Sequence, residues 1–279
     1  MENYRPVRPA RPAAAYIGGK KRLAEILVER IERVPHKTYA EPFIGMGGVF
    51  LRRRWAPPCE VINDISNDVV TFFRILQRHY PQFMETLKFQ IASRSEFERL
   101  MASDPSTLTD LERAARFLYL QRLAFGGKVA GRSFGVSLGG GSRFDVTRLA
   151  PILEAIHERL AGVVVERLNW RDLIDRYDSR ETLFFLDPPY FGSEGDYGVG
   201  VFARSDFAML ADRLARIEGR FLLTVNDVPE MREAFGRFDI ETLQTRYTIA
   251  GGEWSDVSEI LVAGPGANVI APPRDLLSL

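Results

Sequence analysis

Apolar residues follow helical and strand spacing in alternating blocks along the first part of this chain. They recur at helical spacing from Leu23 to Val34 and end at Pro35, which predicts an amphipathic helix from Lys20 to Arg33. The next predicted elements are a strand over 38–41, a glycine-rich turn over 42–48, a helix over 49–55, a strand over 60–62 and a helix that ends at residue 78. This order is typical of the opening of a doubly wound α/β sheet.

The strand pattern then stops for about ninety residues and resumes near residue 163. The interruption contains helix-like stretches over 80–102 and 109–125, a loop over 126–144 and a helix over 147–161. The later elements are strands over 163–165, 183–186, 221–225, 239–245 and 258–262, with a helix over 204–217. We therefore predict an α/β fold with a doubly wound, mostly parallel sheet and a mainly helical insertion.

The predicted domains follow from this organisation. Residues 1–15 are rich in proline, arginine and alanine without periodicity, which predicts a disordered basic arm. Residues 16–79 and 162–279 are expected to form the sheet domain, and residues 80–161 the insertion. No internal repeat of fixed period is present.

Composition excludes several classes of protein. The 279 residues are 46% hydrophobic and 27% charged, as in an ordinary globular protein. The sequence has no apolar run long enough for a membrane span and no signal core, so we expect a cytoplasmic protein with no membrane partner. The single cysteine, Cys59, and three dispersed histidines cannot assemble a zinc cluster, and we expect no metal.

The net charge of zero hides an uneven distribution. Residues 1–54 hold twelve Lys/Arg against five Asp/Glu, a net of +7, and residues 170–279 hold eleven against nineteen, a net of −8. Residues 113–143 carry only basic charges, in a stretch rich in glycine and aromatic residues. Such a stretch suits a polyanion such as nucleic acid, because neutralising phosphates releases condensed counterions. The alternative is a solvated helix face followed by a flexible loop.

A glycine turn and an acid predict a nucleoside-bearing ligand. The glycines of Phe43-x-Gly45-x-Gly47 follow a strand and allow close approach of the backbone to a ligand, and Asp64 follows the next strand, where it can accept ribose hydroxyls. Phe50 breaks the G-x-G-x-x-G pattern of dinucleotide sites. A plain tight turn and a helix N-cap are the alternatives.

The turn at residues 16–20 is not a phosphate loop. Lys20 is followed by another lysine, and no glycine lies at the required offset. The turn could bring the ring of Tyr16 and the ammonium of Lys20 against a ligand, or simply start the first helix.

A buried strand ends abruptly at Asp187-Pro188-Pro189-Tyr190. Ligands of open α/β sheets bind at the carboxyl ends of strands, where this acid is expected. The prolines fix the loop, and the carboxylate together with the Pro188 carbonyl can hold an amino group by its two N–H bonds. Tyr190 offers a flat face on which a planar base can stack. We therefore predict that Asp187, Pro188, Pro189 and Tyr190 are catalytic.

Four motifs in this order resemble the Dam-like, alpha-class DNA adenine methyltransferases. They are residues 16–20 (YIGGK), 41–47 (EPFIGMG), 63–67 (NDISN) and 187–190 (DPPY). The resemblance implies transfer of a methyl group from S-adenosylmethionine to the N6 amine of adenine in double-stranded DNA, by a protein expected to be a monomer. The cofactor-binding residues that it implies are Tyr16, Gly18, Lys20, Phe43, Gly45, Gly47, Asp64 and Asp187.

The same resemblance extends to the insertion and to the end of the chain. The stretch from Gln121 to Phe144 is similar to the part of the family that meets DNA, and the tail over 219–227 resembles phage-type members. Asn169 stands where many members have an acid that contacts the cofactor. The expected DNA-binding residues are Arg116, Arg122, Lys128, Arg132 and Arg143.

Three other functions are compatible with parts of this pattern. Methylation of an RNA guanine or a protein glutamine can also use a strand-end acid or amide before Pro-Pro-Tyr, although the order of the motifs favours DNA adenine. A catalytically silent DNA-binding relative is disfavoured by the presence of Asp64, Asp187 and Tyr190. A nicotinamide oxidoreductase is disfavoured by the incomplete glycine pattern.

Overall fold

The computed structural model of this chain describes residues 4–20, 22–135, 141–198, 200–248 and 254–267. The strands are β1 Arg5–Pro6, β2 Thr38–Glu41, β3 Trp55–Ala56, β4 Cys59–Asn63, β5 Val164–Glu166, β6 Thr182–Leu186, β7 Arg220–Asn226, β8 Asp239–Thr248 and β9 Trp254–Ala263. The helices are α1 Ala24–Arg33, α2 Asn67–Arg78, α3 Tyr80–Leu87, α4 Arg94–Ala102, α5 Asp110–Leu123, α6 Val146–Arg159, α7 Trp170–Tyr177, α8 Arg204–Leu214 and α9 Pro229–Ala234.

The main sheet has seven strands in the order β5-β4-β2-β6-β7-β9-β8. The five strands from β5 to β7 are parallel, and β9 runs antiparallel to both of its neighbours. The direction of winding reverses between β2 and β6, so the carboxyl ends of these two strands face a common crevice. The predicted fold, a doubly wound and mostly parallel sheet with a helical insertion, is confirmed.

Strand β6 explains why the sheet lies in the middle of the molecule. All five of its residues are buried. Leu183 and Phe185 belong to the apolar cluster on one face of the sheet, and Phe184 and Leu186 belong to the cluster on the other. A strand with apolar residues on both faces is stable only when helices cover both sides.

The insertion shares its core with the sheet domain. Helix α5 is buried along most of its length, and the ring of its Phe117 lies 5.8 Å from that of Phe72 on α2. A capping box in which Thr109 and Glu112 hydrogen-bond each other's backbone begins α5. The continuous helix predicted over 80–102 is wrong, because the side chain of Ser93 caps a separate helix α4 by accepting from Glu96 N.

Residues 4–15 are ordered, so the prediction of a disordered arm is wrong for them. Strand β1 pairs antiparallel with β3, and Ala13 is fully buried. The carbonyl oxygens of Ala13 and Ala15 accept hydrogen bonds from Arg122 and Gln121 of α5. Small side chains let this segment lie close against the core. Its pairing with β3 supplies hydrogen bonds to backbone groups that would otherwise need water. Residues 1–3 of the predicted arm, 136–140 of the predicted loop and 268–279 of the predicted sheet domain lie outside the described residues.

Other differences concern short elements. The helix predicted over 49–55 is only a 3₁₀ turn, Phe50–Arg52, because the chain then extends into β3 to pair with β1. Helices α7 and α9 were not predicted, and Asn169 proves to be the N-cap of α7, where its Oδ1 accepts from Arg171 N. Among the described residues, none of the helices has the length and apolar character needed to cross a bilayer.

A buried ionic cluster joins the sheet to the helices beneath the crevice. Glu60 on β4 accepts hydrogen bonds from Arg53 at 2.8 Å and from Arg159 of α6 at 2.7 and 2.8 Å, and the two guanidinium groups are 0% exposed. They stack on the rings of Tyr39 and Phe50, at 3.8 and 4.0 Å from the ring centroids. Two buried cations are therefore tolerated because one carboxylate and two aromatic faces replace water.

We expect Glu60→Gln to destabilise the folded protein by about 3–5 kcal/mol, because it leaves two buried guanidinium groups without a carboxylate. The free energy of unfolding from urea titration checks this. The matched control is Glu181→Gln, which removes a carboxylate from an ion pair with Lys37 in which both side chains are 58% exposed. The control should change stability by less than about 1 kcal/mol, and equal losses for the two variants would contradict the expectation.

Candidate active site

The carboxyl ends of the central strands open into one cavity of about 410 Å³. Glu41 at the end of β2, Asp64 after β4 and Asp187 after β6 all line it. The glycine turn contributes Gly45, and the loop after β6 also contributes Pro189. Motifs separated by more than a hundred residues in the sequence thus meet where the winding of the sheet reverses, as ligand sites of open α/β sheets do.

The glycine turn presents its backbone to the cavity. Gly45 has φ of +49°, and a Cβ built there would lie 3.1 Å from the ring of Tyr16, so only glycine fits without a shift of that ring. Gly18, with φ of +71°, also lines the cavity. Gly47 has φ of +74° but packs against Leu51 and does not line the cavity. The structure thus brings two of the three predicted cofactor glycines to the site.

Asp64 fixes the glycine turn to the end of β4. Its Oδ2 accepts from Gly45 N at 3.0 Å, and its Oδ1 accepts from Ser66 N at 2.9 Å. Burial raises the pKa of Asp64 to about 6, although these backbone donors oppose the shift. The predicted N-cap alternative does not apply, since Ser66 caps α2. Ile65 N is a third backbone donor, and the carboxylate retains acceptor capacity for a further donor such as a ribose hydroxyl.

Phe43 and Tyr16 form aromatic parts of the cavity lining. The ring of Phe43 packs edge to face against Phe202, with 5.8 Å between the ring centroids. The ring of Tyr16 lies over Gly45, and burial raises the pKa of its hydroxyl well above the ordinary value. Both rings offer apolar surface to a ligand with a planar group.

Glu41 is a buried acid that sequence reasoning did not single out. It is 2% exposed, and its Oε2 accepts a hydrogen bond of 2.8 Å from the hydroxyl of Tyr39. Burial raises the pKa of Glu41 to about 8, and the neighbouring Asp187 adds to the shift. The carboxyl is therefore mostly protonated at pH 7 in the absence of a ligand.

Lys20 is buried at the centre of the site. Its ammonium lies 2.5 Å from Asp187 Oδ1, 3.5 Å from Glu259 Oε2 and 3.2 Å from the carbonyl oxygen of Gly18. It also donates to the hydroxyl of Tyr190 at 2.5 Å and lies 4.5 Å from the centroid of that ring. Burial raises the pKa of Asp187, and the charge of Lys20 opposes this shift.

The loop after β6 is held by strand β7. Thr224 donates to Asp187 Oδ1 at 3.0 Å, and Asn226 both accepts from Phe191 N and donates to its carbonyl oxygen. Pro188 is buried, and Tyr190 reaches the site through its bond to Lys20. All four residues predicted to be catalytic therefore lie at or beside the cavity.

The segment after this loop lies across the cavity. Tyr197 lines it and donates to the carbonyl oxygen of Ile17 at 3.1 Å, and a Cβ at Gly18 would lie 2.7 Å from its hydroxyl oxygen. Burial raises the pKa of Tyr197, with Asp187 contributing. Nothing in the motif pattern pointed to Tyr197.

The basic residues predicted to bind DNA have different surroundings. Arg116 is 8% exposed and donates to the carbonyl oxygen of Leu100, so it holds α5 to α4 and is removed from the expected DNA surface. Arg122 donates to the carbonyls of Ala13 and Arg143. Arg132 is partly buried and donates to Gln121, Arg143 is half-buried, and Lys128 is exposed.

Sequence reasoning missed Glu41, Thr224, Asn226 and Glu259 as site residues. Each is a polar residue that lies within a strand or at its carboxyl end. A polar residue in such a position is the signal that could have identified them, because a buried polar group needs a specific partner.

Comparisons with known proteins show which family this chain resembles. The family model described as D12 class N6 adenine-specific DNA methyltransferase matches residues 16–249. The chain is 24% identical over 279 residues to the type II methyltransferase M1.LlaDCHI of Lactococcus lactis subsp. cremoris, an alignment that covers 92% of this chain and 96% of the relative.

Two further relatives come from viruses. Identity to the type II methyltransferase M.CviBI of Paramecium bursaria Chlorella virus NC1A is 20%, with 75% of this chain and 81% of the relative covered. Identity to the DNA N-6-adenine-methyltransferase of Escherichia phage P1 is 26%, with 88% of this chain and 34% of the relative covered.

The extent of the family match shows to which family this chain belongs. It covers most of the chain and includes all four motifs. The expected reaction and cofactor are thereby confirmed. The chain belongs to the D12 class N6 adenine-specific DNA methyltransferase family and is an S-adenosylmethionine-dependent enzyme that methylates adenine in DNA.

Proposed function

We propose that the cavity at the sheet edge binds S-adenosylmethionine and that Asp187 presents the N6 amine of an extruded adenine to it. The observation that carries this proposal is the convergence of Glu41, Asp64 and Asp187 on one cavity with the loop 187–190 at its wall. These acids suit the ligand, because S-adenosylmethionine carries two positive groups, a sulfonium and an ammonium, and only one negative group, a carboxylate. The cavity volume of about 410 Å³ is in the range of small-molecule sites.

Each part of the cofactor has a candidate partner. Asp64 would accept the ribose hydroxyls, with Gly45 and Tyr16 beside the nucleoside. Glu41 would ionise to hold the ammonium of the methionine part, and Phe43 would add apolar contact. Arg11 and Arg52 also line the cavity and suit the cofactor carboxylate.

The bound cofactor supplies an electrophilic methyl group, and the residues of the chain prepare the nucleophile. The two contacts described for the Asp187 carboxylate, to Lys20 and Thr224, both use Oδ1. Oδ2 can then accept one N–H of the target amine while the Pro188 carbonyl accepts the other. These acceptors turn the nitrogen lone pair toward the methyl group and stabilise the positive charge that develops on the nitrogen.

The target adenine must leave the DNA helix to reach this pocket, since its amine is inaccessible to in-line attack within the stack. Tyr190 would stack on the extruded base and offset part of the cost of unstacking. Gly127 of the insertion accepts a hydrogen bond of 3.1 Å from Ile17 N, and Ile17 lines the cavity. The insertion would therefore hold the duplex near the cavity. Exposed Lys128 lies next to this anchor point.

Three finer features belong to the same proposal. The similarity to the phage P1 protein supports a phage or prophage origin. Action on cellular DNA would place the protein in the cytoplasm. The large apolar side chains that are exposed among the described residues are scattered over several elements, which supports a monomer.

We expect Asp187→Asn to slow methyl transfer by at least roughly 10²-fold, because the amide presents no negative charge to the developing cation. DNA affinity should stay within about tenfold of wild type, since phosphate contacts lie elsewhere. Incorporation of a tritiated methyl group into unmethylated DNA measures the transfer. The control is Asp212→Asn, in an exposed ion pair with Arg237, and wild-type transfer by Asp187→Asn would refute the proposed role.

The raised pKa of Glu41 predicts proton release on cofactor binding. At pH 7 a carboxyl with a pKa of about 8 is mostly protonated, and a bound ammonium would lower that pKa and expel the proton. Calorimetric titration with S-adenosylmethionine in phosphate and in Tris should therefore give different enthalpies. The difference should vanish in Glu41→Gln, and a wild-type enthalpy independent of the buffer would exclude this contact.

The position of Lys128 predicts a salt-dependent DNA contact. Lys128→Ala should lower the slope of log K against log salt by about one, the value for one lost phosphate contact. DNA affinities measured between about 50 and 200 mM salt give this slope. Lys37→Ala is the matched control, because Lys37 precedes β2 at the opposite end of the sheet, and an equal slope for both variants would move the DNA surface elsewhere.

A further inference from the structure

The buried ammonium of Lys20 lies between two carboxylates, of which only Asp187 belongs to the motifs. The other is Glu259 on β9, whose backbone pairs in register with Asn226 of β7. The side chains of Lys20 and Glu259 are each 1% exposed, and their charged atoms are 3.5 Å apart. The antiparallel end of the sheet thus places a charged group against the ammonium that contacts Asp187.

One ammonium facing two carboxylates leaves this cluster with a net charge of −1 when all three groups are ionised. The balance matters because Lys20 is 2.5 Å from Asp187 and would by itself cancel the charge of that carboxylate. An uncompensated ammonium would also repel the sulfonium of the cofactor and the positive charge that develops on the target amine.

Lys20 also sets the positions of two groups that meet the base. It donates to the Tyr190 hydroxyl and holds Asp187 Oδ1, so a displacement of its ammonium would move both. Gly18 contributes only a neutral carbonyl to this arrangement. Glu259 is the second charged partner of the ammonium, and it belongs to a strand outside the motif loops.

We propose that Glu259 is a positioning residue for methyl transfer, which holds Lys20 in place and restores a net negative charge beside Asp187. It acts through Lys20 and has no direct role in the reaction. This inference rests on the role of Asp187 proposed above.

The first test compares Glu259→Gln, which keeps the shape of the side chain and loses its charge, with Glu241→Gln. Glu241 lies on the adjacent strand β8 in an ion pair of 2.8 Å with Arg30 and does not line the cavity. Single-turnover transfer of a tritiated methyl group to genomic DNA lacking N6-methyladenine should slow roughly 10- to 100-fold in Glu259→Gln. Glu241→Gln should stay close to the wild-type rate, and equal rates for the two variants would overturn the inference.

The second test uses Lys20→Met alone and combined with Glu259→Gln. Lys20→Met removes the ammonium that both carboxylates face, whereas the double variant also removes the charge of Glu259 and returns the summed charge of the three groups to the wild-type value. The double variant should therefore be faster than Lys20→Met by at least about tenfold and melt at a higher temperature. If the rate losses of Lys20→Met and Glu259→Gln multiply in the double variant, as they do for independent structural defects, the charge balance is contradicted.

The outcomes remain separable if a variant fails to fold. A double variant that folds where Lys20→Met does not supports the charge balance, and if neither folds the comparison of Glu259→Gln with Glu241→Gln decides. Asp187→Asn distinguishes the two proposals. If it transfers methyl groups normally, the proposed active site fails, and if it is inactive while Glu259→Gln is normal, only the role of Glu259 fails.

Discussion

A single buried ammonium, that of Lys20, holds the active site together. An ion removed from water must be paired and hydrogen-bonded, or the protein loses several kcal/mol of stability. Lys20 meets this requirement only if the loop after β6, the turn at residues 16–20 and strand β9 all keep their places. The need to pair one charge therefore links segments that are far apart in the sequence.

Three acids line the cavity beside this ammonium, together with Arg11, Arg52 and Arg122. Burial raises the pKa of Glu41, Asp64 and Asp187, so ionised carboxylates in this cavity come at a cost to folding stability. Under the proposed function, a cationic cofactor would relieve that cost. Preorganised charge of this kind accelerates transfer because no group has to reorient as positive charge moves from sulfur to nitrogen. The Arg53–Glu60–Arg159 cluster is connected to the cavity through Tyr39. The guanidinium of Arg53 stacks on the ring of Tyr39, and the hydroxyl of Tyr39 donates to Glu41.

The strands of the main sheet, the order of the motifs and eight of the 25 residues that line the cavity could be predicted from the sequence. Apolar runs mark buried strands, and residues that follow such strands meet at one edge of a parallel sheet. The positions of Thr224, Asn226 and Glu259 depend on how β7 and β9 pair, which periodicity does not reveal. Charge patterns also failed to separate Arg116, which holds a buried carbonyl, from Lys128, which faces solvent. The alanines of residues 4–15 were mistaken for disorder, because composition records no contact partners.

The ordered N-terminal segment has a practical consequence. Ala14 and Ala15 form part of the cavity lining, and α5 holds the carbonyls of Ala13 and Ala15 through side chains of the insertion. A shortened version that starts at the YIGGK motif would therefore keep every recognised signature and yet lack part of the wall of the cavity. Truncations of the protein and comparisons between homologues should treat residues 4–15 as an integral part of the enzyme.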